Sequence, residues 1–168
     1  ILSMEEDTEV LVVEMGANHE KEIELLASIA RPETGVITNI GEGHLEFFGS
    51  LRGVANAKSE LIRALPAGGK AILPDGSEFL EILSGATEAD IVTFGLSGEA
   101  DWNVEIIEQK ETGGYIFELN GDRMETALSG SYHLLNIAAS AAASSLLGAS
   151  IDDIAGAVRD FRAVEKRG

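Results

Sequence analysis

The feature that most constrains this chain is a repeated order: a short apolar run rich in β-branched residues, then a glycine turn, then a segment with helical spacing. Gly35 to Ile40 gives the clearest instance. It passes through Gly41 and Gly43 into a helical pattern traced by Leu51, Val54, Ala55, Lys58, Leu61, Ile62 and Leu65. Val10 to Val13 comes before it, with Gly16 as its turn and Ile23, Leu25, Leu26, Ile29 and Ala30 as its helix, which breaks at Arg31-Pro32. Ala71 to Leu73, a short helix over Phe79 to Leu83, and Ile91 to Phe94 continue the series. Strands buried on both faces read as continuous apolar runs, and their alternation with helices calls for right-handed crossovers between parallel strands. The expected fold is α/β, a mostly parallel sheet flanked by helices.

Beyond a seam near Gly95 to Ala100 the period changes. Trp102, Val104 and Ile106 alternate, Gly113-Gly114 turns, Tyr115, Phe117 and Leu119 alternate again, and Asn120-Gly121 is a strong hairpin signal. These residues predict a three-stranded antiparallel meander over Asp101 to Leu128, packed beside the main sheet. Leu134 to Leu147 reads as an Ala/Ser-rich helix ended by Gly148. Ile151 to Phe161 reads as a last helix with Asp152 and Asp153 at its positive end. The chain thus divides into a parallel part (1–98), a meander (99–129) and a helical part (130–168), within one domain.

Twelve basic residues against 29 acidic ones give a net charge of −17, which excludes a nucleic-acid backbone or an anionic membrane surface as a general partner. An anionic ligand would need a local device against that field, and a divalent cation suits it. With no cysteine there is no disulfide, thiolate zinc site or thiol nucleophile. The apolar runs fall short of the ~20 residues of a membrane span, and no basic-then-apolar leader opens the chain. The expectation is a soluble, cytoplasmic protein. Opening at Ile1 without a methionine or a cap, the chain reads as a piece of a longer one.

Several side chains sit where chemistry is placed in open α/β sheets, at the carboxyl ends of strands. Glu14 closes the first apolar run, as a solvated loop residue or as a carboxylate that holds Mg²⁺ beside a phosphate. His44, between Glu42 and Glu46, is either a turn histidine on a backbone carbonyl or a ligand. Lys58 is either a solvated helix residue or an amine that, once neutral, reacts with carbon dioxide to become a metal-binding carbamate. Asn18 suits a helix N-cap, which leaves His19 unexplained. At the start of the Ala-rich helix Ser131 suits a cap, while Asn136 has a planar amide able to bond a neighbouring loop or a purine edge. Asp75-Gly76 reads as a turn. No G-x-x-x-x-G-K-[ST] phosphate loop occurs. The residues alone give an α/β domain with a candidate metal and phosphate site.

Taken in order, Val13-Glu-Met-Gly-Ala-Asn-His19, Thr38-Asn-Ile-Gly-Glu-Gly-His-Leu-Glu46, Phe48-Gly-Ser-Leu-Arg-Gly-Val-Ala-Asn-Ala-Lys-Ser-Glu60, Thr93-Phe-Gly95 and Gly130-Ser-Tyr-His-Leu-Leu-Asn136 resemble the central, P-loop-type ATP-binding domain of the Mur ligases. The resemblance runs from Val10 to Arg167. It is strongest to the branch that joins D-alanyl-D-alanine to UDP-MurNAc-tripeptide in peptidoglycan synthesis. It implies an ATP- and Mg²⁺-dependent ligase in which the peptide carboxylate becomes an acyl phosphate that the incoming amine attacks. By position, Glu14 would hold the Mg²⁺ on the β- and γ-phosphates, and His44 with a carbamylated Lys58 would hold the second. Asn136 would lie against adenine, Asn18 and His19 would face the substrate, and Arg167 would approach phosphate.

The sequence also departs from the family. The phosphate loop expected upstream of Glu14 is absent, as are the flanking domains that bind the UDP sugar and the amine substrate. His133 stands where the family often has Asn, and Glu165-Lys166 precedes Arg167 where a Pro/Gly turn is common. The piece by itself is expected neither to bind ATP well nor to turn over. The competing readings are another Mur ligase, a folylpolyglutamate- or cyanophycin-synthetase-like ligase, a binding module that has lost its loop, and a metal-binding domain unrelated to ATP.

Overall fold

The computed structural model describes residues 5–41, 43 and 45–162. In chain order these form α1 (Glu22–Ala30), β1 (Thr34–Val36), α2 (Leu45–Phe48), α3 (Leu51–Arg63), β2 (Lys70–Pro74), α4 (Leu80–Ser84), β3 (Asp90–Gly95), β4 (Trp102–Gln109), β5 (Tyr115–Leu119), β6 (Asp122–Thr126), α5 (Tyr132–Leu146) and α6 (Ile151–Asp160).

The six strands make one sheet in the order β1-β2-β3-β4-β5-β6. The first four run parallel and the last three antiparallel. The meander is therefore not packed beside the main sheet as the sequence suggests. Two parallel pairs, Phe94 with Trp102 and Gly95 with Asn103, splice it into the same ladder. Asn120-Gly121 makes the expected tight turn, both residues having positive φ (52° and 90°).

Helices cover both faces. On one, Ile37, Ile62, Leu65, Ala71, Leu73 and Leu83 pack α3 and α4 onto the parallel strands. On the other, Ile72, Phe94, Val104, Phe117, Leu134 and Ala138 join the sheet to α5, and α6 packs beside it on β6. In β2, Ala71 and Leu73 face one layer and Ile72 the other, each with no exposed surface, which is why this strand reads as an unbroken apolar run. Each large side chain sealed in this way contributes roughly 1.5–3 kcal/mol.

Val10–Val13 departs from expectation. It forms no strand, and Val12 is 89% exposed. A strand needs a hydrogen-bonding neighbour, and the edge strand β1 pairs only with β2 among the described residues. β1 itself is shorter than the predicted Gly35–Ile40. After Ile37, whose amide still donates to Ile72, the chain turns away to present the carbonyl of Asn39 to Lys58.

Candidate functional site

The four parallel strands end at one edge of the sheet, and two reversals at β5 and β6 bring the chain back to that edge before α5 begins. The loops after β1, β2 and β3 and the N-termini of α3 and α5 share this edge, where open α/β sheets receive ligands. α3 starts sharply. Gly49 takes φ 70°, and the Ser50 hydroxyl accepts the amide of Gly53 at 3.1 Å. A Cβ on Gly53 would lie 2.2 Å from the carbonyl oxygen of Phe48, so glycine is what lets α2 sit against α3.

Lys58, midway along α3, donates its ammonium to the carbonyl of Asn39 at 2.6 Å. It is half-buried, and that burial pulls its pKa below the ordinary lysine value. Among the described residues no carboxylate forms an ion pair with it. A lowered pKa moves the equilibrium toward the neutral amine, the form that reacts with carbon dioxide.

The second part of the site is the N-terminus of α1. Asn18 is not its cap, because two turn residues intervene and Lys21 takes the N-cap position in the left-handed region at φ 69°, with no side-chain cap of its own. The orphan amides go instead to two carboxylates. Glu22 accepts those of Asn18 (2.7 Å) and His19 (3.1 Å), and also faces His19 Nδ1 at 3.2 Å. The two backbone bonds are the main cause of its lowered pKa. Glu60, buried on α3 at 7% exposure, accepts the amides of Lys21 (2.7 Å) and Glu24 (3.1 Å). The His19 ring lies 5.5 Å from that of Phe47 on α2. Asn18, His19, α2 and the Lys58 helix thus form one connected unit.

Other expected site residues are not joined to that unit by any described contact. Glu14 is exposed and makes no hydrogen bond or ion pair to Lys58, Asn18 or His19. Among the described residues no group of three or more His, Asp or Glu is placed to hold a metal ion. Asn136 is exposed near the start of α5, at the same edge of the sheet. Ser131 stands at the N-cap of α5, yet its hydroxyl makes no capping bond because its backbone is already helical. The ring of Tyr132 lies against that of His133, 4.2 Å away. His44 and Arg167 lie outside the described residues. Asp75 is in a turn, as read, and its carboxylate accepts the hydroxyl of Ser97. A hollow of about 340 Å³ lined by Arg63, Ala67, Thr87 and Glu88 opens at the amino ends of β2 and β3, away from this edge.

Glu60 was assigned no role by sequence reasoning. The signal for it was indirect: α1 lacks a well-placed local cap, so its amides had to find an acceptor elsewhere.

Residues 1–144 match the family described as Mur ligase middle domain. The chain belongs to that family. It is 34% identical over 157 residues to the UDP-N-acetylmuramoyl-tripeptide--D-alanyl-D-alanine ligase of Bacillus subtilis, covering 92% of this chain and 34% of that protein. Among solved structures, MurF from Acinetobacter baumannii superposes with a TM-score of 0.78 at 29% identity, covering 89% of this chain and 34% of that one. MurF from Thermotoga maritima, solved in complex with ADP, gives a TM-score of 0.75 at 27% identity, covering 89% and 35%. This Mur ligase middle domain spans about a third of the length of these relatives. The α/β fold, mostly parallel with antiparallel strands and flanking helices, is the fold of these Mur ligases.

Proposed function

We infer that this Mur ligase middle domain works within an ATP-dependent ligase that joins D-alanyl-D-alanine to UDP-MurNAc-tripeptide in peptidoglycan synthesis, in the cytoplasm. The similarity to the Bacillus subtilis ligase and to the MurF structures supports that substrate pair. The observation that carries the reading is Lys58, a half-buried amine of lowered pKa, bonded to a carbonyl just past the carboxyl end of a parallel strand and paired with no carboxylate among the described residues.

The Lys58 ammonium first gives a proton to solvent, and the neutral amine then forms a nitrogen–carbon bond with carbon dioxide and sheds a second proton, so that a cation becomes an anionic carbamate with oxygen donors. Glu14 would offer a hard donor to one Mg²⁺, and the Lys58 carbamate, with His44, would hold or support a second. Mg²⁺, when bound, neutralises and aligns the triphosphate and the substrate carboxylate. Asn136 presents its amide to adenine, and Arg167 approaches phosphate. Asn18 and His19 face the substrate, with the imidazole steadied by Glu22. No phosphate loop lies within the 168 residues, so the triphosphate is cradled by residues outside this chain.

The test is ATP hydrolysis by the full-length protein, supplied with UDP-MurNAc-tripeptide and with D-alanyl-D-alanine either present or withheld. Phosphate and amide product that require both substrates are expected. Turnover indifferent to the dipeptide would point to another ligase of this family, and no turnover with any acceptor would overturn the enzymatic reading.

A further inference from the structure

The Glu60 carboxylate is an unusual cap. Helix N-termini are ordinarily closed by a side chain a few residues away. Here the two oxygens that close α1 come from 39 and 36 residues further along the chain, on another helix. Burying a carboxylate is costly unless its oxygens are satisfied, and both of these are satisfied by α1 amides. Lys21, meanwhile, holds a left-handed backbone that side chains other than glycine rarely adopt. Its amide makes the shorter of the two bonds.

We propose that Glu60 is a positioning residue: it sets where the Asn18–His19 loop stands relative to Lys58. The proposal rests on the roles given above to Lys58, Asn18 and His19. Lys58 and Glu60 are two residues apart on one rigid helix, roughly 3 Å of rise. One side chain reaches forward to Asn39, and the other clamps the start of α1. Glu22, on the first turn of α1, then fixes Asn18 and His19 to that clamped end. Among the described residues the two Glu60 bonds are the only side-chain hydrogen bonds that tie the stretch from Glu14 to Arg31 to the rest of the molecule. Ile23 and Ala27 supply apolar contact on the buried face of α1, but apolar contact is non-directional and leaves the helix free to slide. The carboxylate fixes the register.

Glu60→Gln is the discriminating change. It keeps the shape but replaces one acceptor by an amide NH₂ that faces a backbone N–H. In the full-length enzyme it is expected to lower kcat/KM for UDP-MurNAc-tripeptide about tenfold, mostly through KM, and to leave KM for D-alanyl-D-alanine unchanged. Ala27→Gly is the structural control, since it loosens the same helix without touching the bond, and it should lower Tm while leaving kcat/KM unchanged. Should Glu60→Gln not accumulate as folded protein, Glu60→Gln with Lys21→Gly relieves the left-handed strain and is expected to show the same kinetic defect. The proposal is overturned if Glu60→Gln leaves the kinetics intact, or matches Ala27→Gly at an equal loss of Tm. Lys58→Ala separates the two levels. Full activity in that variant would sink the underlying site, whereas an inactive Lys58→Ala beside a kinetically normal Glu60→Gln would sink only the positioning role.

Discussion

Replacing Lys58 by Met should cost little stability and nearly all activity. Met keeps an unbranched apolar stem along α3 and removes the ammonium. The loss is one hydrogen bond from a charged donor to the Asn39 carbonyl, worth about 1.5–3 kcal/mol. Against it stands the release of a partly desolvated cation, whose burial is the reason its pKa is lowered. The two effects oppose each other, so the net change should be smaller than the loss of the bond alone, with Tm falling by no more than roughly 2–4 °C. Turnover of the full-length enzyme should fall at least about a hundredfold, as expected when a group that supports a metal site is removed. The sign of the pH dependence follows from the lowered pKa. Between the folded value and the ordinary lysine value the unfolded chain binds more protons, so the contribution of Lys58 to stability rises with pH in that window. Thermal melts from about pH 7 to about pH 10 should therefore show the wild type gaining on Lys58→Met as pH increases. An unfolded or fully active variant would refute the assignment, and a gap that narrows with rising pH would refute the account of the lowered pKa.

Two other outcomes are expected. Ser150→Ala removes the capping box of α6, in which the Ser150 hydroxyl accepts the Asp153 amide at 3.2 Å, and should lower Tm by about 2–4 °C at neutral pH. The Asp153 pKa is lowered, chiefly by the Ser150 hydroxyl and then by the Ser150 amide. Its stabilising effect is thus present above the ordinary aspartate value and lost as pH falls through the folded one, and melts in acid should show the two proteins converging. Separately, the 168-residue chain at high concentration should self-associate through the edge of β1 that no described strand pairs with and through the exposed Val10–Val13 run, and Val12→Lys should suppress this without lowering Tm. A monodisperse wild type in light scattering would rule that out.

The sheet was legible because its strongest signals are local. Lys70–Pro74 and Asp90–Gly95 are apolar runs between breakers, and Asn120-Gly121 dictates its own turn. α6 is legible from its spacing and from Asp152 and Asp153 at its positive end, while the Ser150 cap that pairs with Asp153 appears only in the structure. The splice between β3 and β4 was not legible, because two paired residues leave no mark on periodicity. Within the site, the position of Lys58 could be read from its helix, but its contact with Asn39 across 19 residues could not.

Val10–Val13 and Glu60 show the same limit from opposite sides. The apolar run has the local preference of a strand yet forms none among the described residues, because a strand is completed by neighbours that its own residues do not specify. Glu60 carries the composition of a surface residue and is buried, because what it satisfies lies on another helix. Both cases yield to the same accounting. Every backbone N–H removed from water must have an acceptor, and every apolar run a cover. Applied to α1, that accounting asks for an acceptor near Lys21 and Glu24, and Glu60 supplies it. Applied to Val10–Val13, it asks for a strand beside β1, and no described residue supplies one. A segment that restored this strand would bury Val10 and Val12, and would carry Glu14 toward the edge where Lys58 and Asn136 already stand.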